Sequence, residues 1–130
     1  MYSMAKAVLD ASAVLALLNQ EPGAEMVEEY LAESVLSTVN LTEILTVLDD
    51  IGMPLKEAKV VVSSLIKEVT PFDEEQATIA ASLRKQTKSS GLSLGDRACL
   101  ALAQMQGLPV LTADKAWKKV SKQVEVLLIR

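Results

Sequence analysis

Short apolar runs alternate along this chain with segments of helical periodicity, and this alternation restricts the fold more than any other feature. The runs Ala7-Val8-Leu9 and Val110-Leu111 are short and uninterrupted, as in strands buried on both faces. Between them lie segments such as 41–48, where apolar residues recur every three or four positions, as in an amphipathic helix. Strands that alternate with helices are typical of βαβ units, so residues 1–130 are predicted to form a single α/β domain with a central parallel sheet.

The pattern predicts five strands and six longer helices. The strands are expected at 7–9, 34–37, 68–71, 110–111 and 124–129. The helices are expected at 11–18, 24–32, 41–48, 55–66, 74–83 and 94–106, with a short helix after Asp114. Residues 87–92 are expected to form a loop, and the β-branched run 60–62 leaves a strand open as an alternative. The core face of the helix 94–106 is expected to consist of Leu94, Ala98, Leu102 and Met105.

Four carboxylates lie close to the ends of these predicted elements. Asp10 directly follows the first strand, and Asp114 follows the strand 110–111 after two residues. In open parallel sheets, functional groups gather just beyond the carboxyl ends of the strands, so these two acids are expected at one edge. Glu43 lies on the helix 41–48 away from its apolar stripe, and Asp96 lies in the first turn of the helix 94–106.

A purely structural interpretation is available for each of these acids. Asp10 and Asp114 can cap the helices that follow them, because a carboxylate accepts hydrogen bonds from the free N–H groups of a first turn. The spacings Asn40-x-x-Glu43 and Ser93-x-x-Asp96 both resemble a capping box. Periodicity alone therefore leaves open whether the chain has four separate caps or one shared site.

Composition removes several kinds of site. The chain has no histidine, which excludes Ser-His-Asp triads and ordinary zinc sites, so a hydrolase of this sequence would need carboxylates, hydroxyls, Lys, Arg or a hard metal ion. Only 3% of the residues are aromatic, which argues against a platform for stacking single-stranded bases. Cys99 is the single cysteine and stands among apolar residues, so a buried, unreactive thiol and a reducing, cytoplasmic location are expected. Neither a signal peptide nor a membrane-spanning segment is predicted.

Charge is distributed unevenly between the two halves of the sequence. Residues 1–65 contain three basic and ten acidic residues, a net charge of −7, whereas residues 66–130 contain ten basic and seven acidic residues, a net charge of +3. The second half is therefore the candidate for contact with a polyanion, although a solvated surface explains the same charges.

Four segments in a fixed order carry a family resemblance. The sequences "VLDASAVLALL", "STVNLTEIL", "GLSLGDRACLALA" and "PVLTADKAW" closely resemble the PIN domain, from residue 6 to the end. The resemblance is greatest to the compact PIN ribonucleases that act as VapC-type toxins of toxin–antitoxin pairs. It implies a three-layer α/β/α fold, hydrolysis of RNA in the cytoplasm, and one or two Mg²⁺ or Mn²⁺ ions. The acidic ligand set that it implies is Asp10, Glu43, Asp96 and Asp114, supported by Ser12, Asn40 and Thr112.

Partners follow from the same resemblance. A small antitoxin is expected to cover the domain, and many relatives form homodimers. A hydrophobic groove for the antitoxin would come from Leu17, Leu18, Met26, Val27, Tyr30 and Leu31, some of which are instead expected in the core. The candidate contacts to RNA phosphates are Arg84, Lys85, Lys88, Lys115, Lys118 and Lys119, whereas Arg97 is expected to be a surface ion-pair partner.

Other classes of protein fit the sequence less well. A haloacid-dehalogenase-like phosphatase would need a second Asp at position 12, which is Ser12, and a response-regulator receiver would need an acidic pair near the first strand. A PIN-like module that binds protein or RNA with little or no catalysis is the alternative that the sequence leaves open.

Overall fold

The computed structural model describes residues 6–119 and 123–130, apart from the side chains of residues 118 and 119. Its five strands are β1 Ala7–Leu9, β2 Ser34–Ser37, β3 Glu68–Thr70, β4 Val110–Thr112 and β5 Val126–Leu128. Its α-helices are α1 Ala11–Leu18, α2 Ala24–Tyr30, α3 Thr38–Asp50, α4 Leu55–Leu65, α5 Glu74–Thr87 and α6 Leu94–Gln106. Single 3-10 turns are present at Leu31–Glu33, Lys88–Ser90 and Lys115–Lys119.

The five strands form one parallel sheet in the order β3-β2-β1-β4-β5. β1 is central and pairs with β2 on one side and with β4 on the other. Because all strands point the same way, the residues that follow β1 and β4 emerge at the same edge. This topology confirms the predicted parallel α/β sheet.

The alternation of side chains along the strands divides the core into two parts. Leu9, Leu36 and Leu111 pack on one face with apolar residues of α1, α2, α3 and α4. Their neighbours Val8, Val35 and Val110 pack on the other face with α5, α6 and the buried Trp117. The sheet is thus covered by helices on both sides, which confirms the three-layer α/β/α arrangement.

Several predicted boundaries shift because local capping decides where helices begin and end. The helix expected at 41–48 starts at Thr38, since the Ser37 side chain accepts a hydrogen bond from Val39 N. The helix expected at 24–32 ends at Tyr30 and continues as a 3-10 turn, and the run 60–62 is helical. The expected loop 87–92 is wrong in part, because the fully buried Thr87 still belongs to α5 and a 3-10 turn follows it.

The expected core face of α6 is also partly wrong. Leu94 is 56% exposed and Met105 is 38% exposed, so neither belongs to the core. The buried part of α6 consists instead of Gly95 and the continuous segment 98–103. This helix packs against α5, α3 and the strands β1 and β2, which bury more than one stripe of its surface. Within the described ranges, no helix combines the length and apolar character needed to cross a membrane.

Candidate active site at the carboxyl edge of the sheet

Asp10 occupies the junction between β1 and α1 and is 5% exposed. Its extended backbone ends the strand, and its side chain caps the helix by accepting a hydrogen bond of 2.8 Å from Ala13 N. Ser12 Oγ donates to both carboxylate oxygens, at 2.7 and 2.9 Å, and Thr112 Oγ1 donates to Oδ2 at 2.6 Å. The predicted helix cap is confirmed, and it accounts for only one of the interactions of this carboxylate.

The two hydroxyl groups also join Asp10 to the segment that carries Asp114. Ser12 Oγ accepts a hydrogen bond of 2.9 Å from Ala113 N, and Thr112 Oγ1 accepts one of 3.0 Å from Asp114 N. Each hydroxyl therefore donates to Asp10 and accepts from the chain just beyond β4. The ends of β1 and β4 are held together through polar side chains, and the backbone of Asp114 is linked to Asp10 through Thr112.

Burial raises the pKa of Asp10 from an ordinary 3.8 to about 6. The negative charge of Asp96 contributes to the same rise in pKa, whereas the hydrogen bonds from Thr112, Ser12 and Ala13 oppose it. Three donors are thus insufficient to offset the loss of hydration. A buried carboxylate close to another negative charge is stabilised when it binds a proton or a cation.

Glu43 is held by α3 and by the first turn of α6. Asn40, which is 1% exposed, donates from Nδ2 to Glu43 Oε1 at 2.8 Å and to the carbonyl oxygen of Gly95 at 3.1 Å. The interpretation of Asn40 and Glu43 as a capping box is wrong, since Ser37 is the cap of α3 and both residues lie inside the helix. Their spacing instead places an amide beside a carboxylate on one face.

Asp96 and Asp114 are both engaged as caps. Ser93 and Asp96 form the expected capping box, with Ser93 N donating to Asp96 Oδ2 at 2.9 Å and Asp96 N donating to Ser93 Oγ at 3.2 Å. Asp114 Oδ1 accepts from Ala116 N at 2.9 Å, and this side chain is exposed. In both cases the cap uses one carboxylate oxygen among the described contacts.

Cys99 is a buried thiol that experiences the charge of three of these acids. It is fully buried, and its pKa is raised chiefly by burial and then by the negative charges of Asp10, Asp96 and Glu43. The charges of all three acids reach this one thiol, so Asp10, Glu43 and Asp96 lie in the same part of the domain. The expectation that Cys99 is buried is confirmed, and its raised pKa keeps the thiol protonated.

The carboxylates share a region without forming a tight ligand group. Among the described residues, no three Asp, Glu, His or Cys side chains approach closely enough to hold one metal ion. Asn40 and the backbone N–H groups of the two caps each donate a hydrogen bond to one oxygen of a different carboxylate. The donor set consists of oxygen atoms, the type of ligand that Mg²⁺ and Mn²⁺ prefer, and in this respect it fits such an ion.

Basic residues lie on the segments that precede Asp96 and follow Asp114 in the sequence. Arg84, Lys85, Lys88 and Lys115 are exposed, whereas the side chains of Lys118 and Lys119 lie outside the described residues. Arg84 and Lys85 belong to the last turn of α5, and Lys88 to the 3-10 turn that leads back to α6. The expectation of an ion pair for Arg97 is wrong, because its Nη1 donates to the carbonyl oxygen of Ala80 and joins α6 to α5.

A groove of about 360 Å³ lies on the opposite layer, between α1, α2 and α4. Leu17, Leu18 and Leu31 line it, as expected for the hydrophobic groove, together with Leu65. Val27 is fully buried in the core and is unable to contact a partner. Met26 and Tyr30 are half-buried against the same core.

Gly95 is the residue of this region that sequence reasoning missed. An ideal Cβ at this position would lie 2.6 Å from both Cδ and Oε1 of Glu43, so the carboxylate of Glu43 lies directly against the glycine. A glycine inside a predicted helix, next to a candidate site residue, was the available signal, since glycine lowers helix stability.

The fold and this edge define an α/β protein with acidic side chains gathered beyond the central strands. The family model of the PIN domain matches residues 7–123. The chain is 32% identical over 116 residues to a VapC ribonuclease of Mycobacterium bovis and to ribonuclease VapC42 of Mycobacterium tuberculosis, covering 80% of this chain and 87% of each relative. The chain belongs to the PIN domain family.

Solved structures share the fold along the whole domain. A toxin–antitoxin complex from Klebsiella pneumoniae superposes with a TM-score of 0.77 at 18% identity, covering 96% of this chain and 98% of that chain. VapBC-5 from Mycobacterium tuberculosis, a member of the VapBC family of toxin–antitoxin systems, gives a TM-score of 0.64 at 25% identity, with 97% and 98% covered.

Proposed function

We propose that this chain is a metal-dependent endoribonuclease that hydrolyses RNA phosphodiester bonds and acts as the toxin of a VapBC-type toxin–antitoxin system in the cytoplasm. The observation that carries the proposal is the state of Asp10, a buried carboxylate with a raised pKa that experiences the charge of Asp96. A buried carboxylate close to a second negative charge is costly unless a ligand of opposite charge binds it. The names of the relatives add support for RNA as the substrate.

Asp10, Glu43, Asp96 and Asp114 would hold one or two Mg²⁺ or Mn²⁺ ions. Such an ion, when bound, supplies a water of lowered pKa and neutralises charge on a phosphate. Among the described contacts, Asp96 and Asp114 each use one oxygen in a cap and leave the second one available, and Glu43 uses Oε1 toward Asn40. These partially engaged carboxylates support a role as ligands.

The protein's own residues orient the site and attract the substrate. Ser12 and Thr112 hold both oxygens of Asp10, so this carboxylate is fixed before any ligand arrives. Arg84, Lys85, Lys88 and Lys115, with Lys118 and Lys119, would contact backbone phosphates, because they follow or precede the segments that carry Asp96 and Asp114. Contacts of this kind orient RNA without reading its sequence.

The groove lined by Leu17, Leu18 and Leu31 is the proposed contact for the antitoxin. Glu28 lies at the same groove and would favour a partner segment that carries both apolar and basic residues. Homodimer formation stays a prediction.

The test is RNA cleavage by the purified chain with Mg²⁺ or Mn²⁺, with and without EDTA. Asp10→Asn, Glu43→Gln and Asp96→Asn are expected to lose cleavage, and Asp49→Asn, an exposed aspartate on α3, is the matched control. Cleavage that survives in EDTA, or in all three site variants, contradicts the metal site. RNA binding without cleavage under every condition favours the alternative, a binding module with little or no catalysis.

A further inference from the structure

Gly95 differs in conformation from every other glycine of the chain. The other four, Gly23, Gly52, Gly91 and Gly107, have positive φ angles between 65° and 99° and serve turns or helix ends. Gly95 has no positive φ and lies in the first turn of α6, where any residue type is sterically allowed by the backbone. Glycine at such a position is less stable than alanine, so another requirement must select it.

The requirement is that no side chain fills the space beside residue 95, because the Glu43 carboxylate lies there. The carboxylate of Glu43 occupies the position of a Cβ at residue 95, with Cδ and Oε1 both 2.6 Å from that point. This arrangement brings the carboxylate of one helix onto the backbone of another. The N-terminal turn of a helix also favours negative charge, which suits this placement.

Asn40 fixes the carboxylate from the other side. Its Nδ2 donates to Glu43 Oε1 and to Gly95 O, so a single amide links both partners. A flipped amide would lose both hydrogen bonds and would place Oδ1 against a carboxylate, which determines the orientation of the group. The buried Asn40 is therefore set to hold Glu43 at α6.

We propose that Gly95 and Asn40 are positioning residues that form a seat for the Glu43 carboxylate, the seat being the missing side chain of Gly95 and the Nδ2 group of Asn40. The seat holds this carboxylate against Gly95, the residue that precedes Asp96 in the first turn of α6. Its use in ligand binding rests on the proposed function, whereas the seat itself exists without a metal ion.

Gly95→Ala is the decisive variant because the group in its way is the end of a flexible side chain. The methyl group is expected to displace the Glu43 carboxylate while leaving the midpoint of thermal unfolding unchanged or higher, since alanine favours helix. In metal-free protein labelled with ¹³C at glutamate, the Glu43 carboxyl resonance, identified by its loss in Glu43→Gln, is expected to shift. Asn40→Asp should shift it as well, and Thr46→Ala, an exposed change on α3, should not.

A Mn²⁺ titration by calorimetry separates the seat from the proposed function. Gly95→Ala is expected to weaken Mn²⁺ binding by about 10- to 100-fold, as for other changes to groups that orient a metal ligand. When Gly95→Ala is combined with Glu43→Gln, the Mn²⁺ affinity is expected to be no lower than in Glu43→Gln alone. An unmoved Glu43 resonance in folded Gly95→Ala overturns the seat. So does unchanged Mn²⁺ affinity in Gly95→Ala when Glu43→Gln weakens it. A shifted resonance with no Mn²⁺ binding by the parent supports the seat and overturns the metal-dependent function.

Discussion

Thr112 donates a hydrogen bond of 2.6 Å to Asp10 across 102 positions of sequence. The bond joins the ends of the adjacent strands β1 and β4, and Thr112 simultaneously accepts from Asp114 N. One hydroxyl group thus links the carboxylate of Asp10 to the backbone of Asp114. It also lowers the pKa of Asp10, in opposition to burial.

Thr112→Val tests this link because valine has nearly the same shape and lacks the hydroxyl. Asp10 then loses a donor and Asp114 N loses its acceptor, so the metal-free protein is expected to be destabilised by about 1–3 kcal/mol. Urea unfolding followed by the fluorescence of Trp117, the single tryptophan, measures the change. Thr70→Val is the control, since Thr70 ends the edge strand β3 and bonds only to Glu68 among the described side-chain contacts. Equal effects of the two changes would show that the Asp10 link adds no stability.

The raised pKa of Asp10 predicts a pH dependence with a defined sign. The folded state binds the proton more tightly than the unfolded state, so the stability contributed by Asp10 is fully present below about pH 4 and is lost as pH rises through about 6. In metal-free protein, Asp10→Asn is expected to gain stability relative to the parent over this range, by up to about 3 kcal/mol. Unfolding free energies at pH 4, 5, 6 and 7 check this, and a difference that is independent of pH contradicts it.

Phosphate binding by the basic residues predicts a change in salt dependence. Lys85→Ala and Lys88→Ala are each expected to weaken RNA binding. Each is also expected to reduce the slope of log K against log salt by about 0.7, the value for the loss of one phosphate contact on a single strand. Fluorescence anisotropy with a labelled single-stranded RNA, carried out in the Asp10→Asn background to prevent cleavage, provides the slope. Lys56→Ala and Lys59→Ala on α4 are matched controls, because these exposed lysines lie in the acidic half. If all four variants have the parental slope, the charges near α6 are solvated surface.

The apolar groove predicts where an antitoxin binds. Leu18→Asp and Leu31→Asp place a charge among the lining residues, and they are expected to prevent co-purification with the small protein encoded beside this chain. Ile51→Asp serves as the control, since Ile51 is 70% exposed and does not line the groove. Circular dichroism establishes that each variant is folded. Retention of the partner by both folded groove variants would place the contact elsewhere.

Some of this site could be located from the sequence because it depends on local rules. A polar residue at the end of a buried strand, as at Asp10, falls at the carboxyl edge of a parallel sheet wherever the strand lies in the order. The cap at Ser93 and Asp96 depends on four consecutive residues, and the structure contains it as predicted. The division of the core also follows from the two-residue repeat of strand side chains, such as Val8 and Leu9.

The sequence by itself determined the parallel α/β class, the strand ends and the caps, because these depend on periodicity and on neighbours within one helical turn. Only the tertiary structure decided that β1 lies between β2 and β4, that Glu43 rests on Gly95, and that Leu94 is exposed. These features depend on which surfaces meet across distant parts of the chain, and a contact such as that of Asn40 with Gly95 spans 55 positions. Packing against α3, α5 and the sheet selects which side of α6 is buried, a choice that local hydrophobicity leaves undetermined.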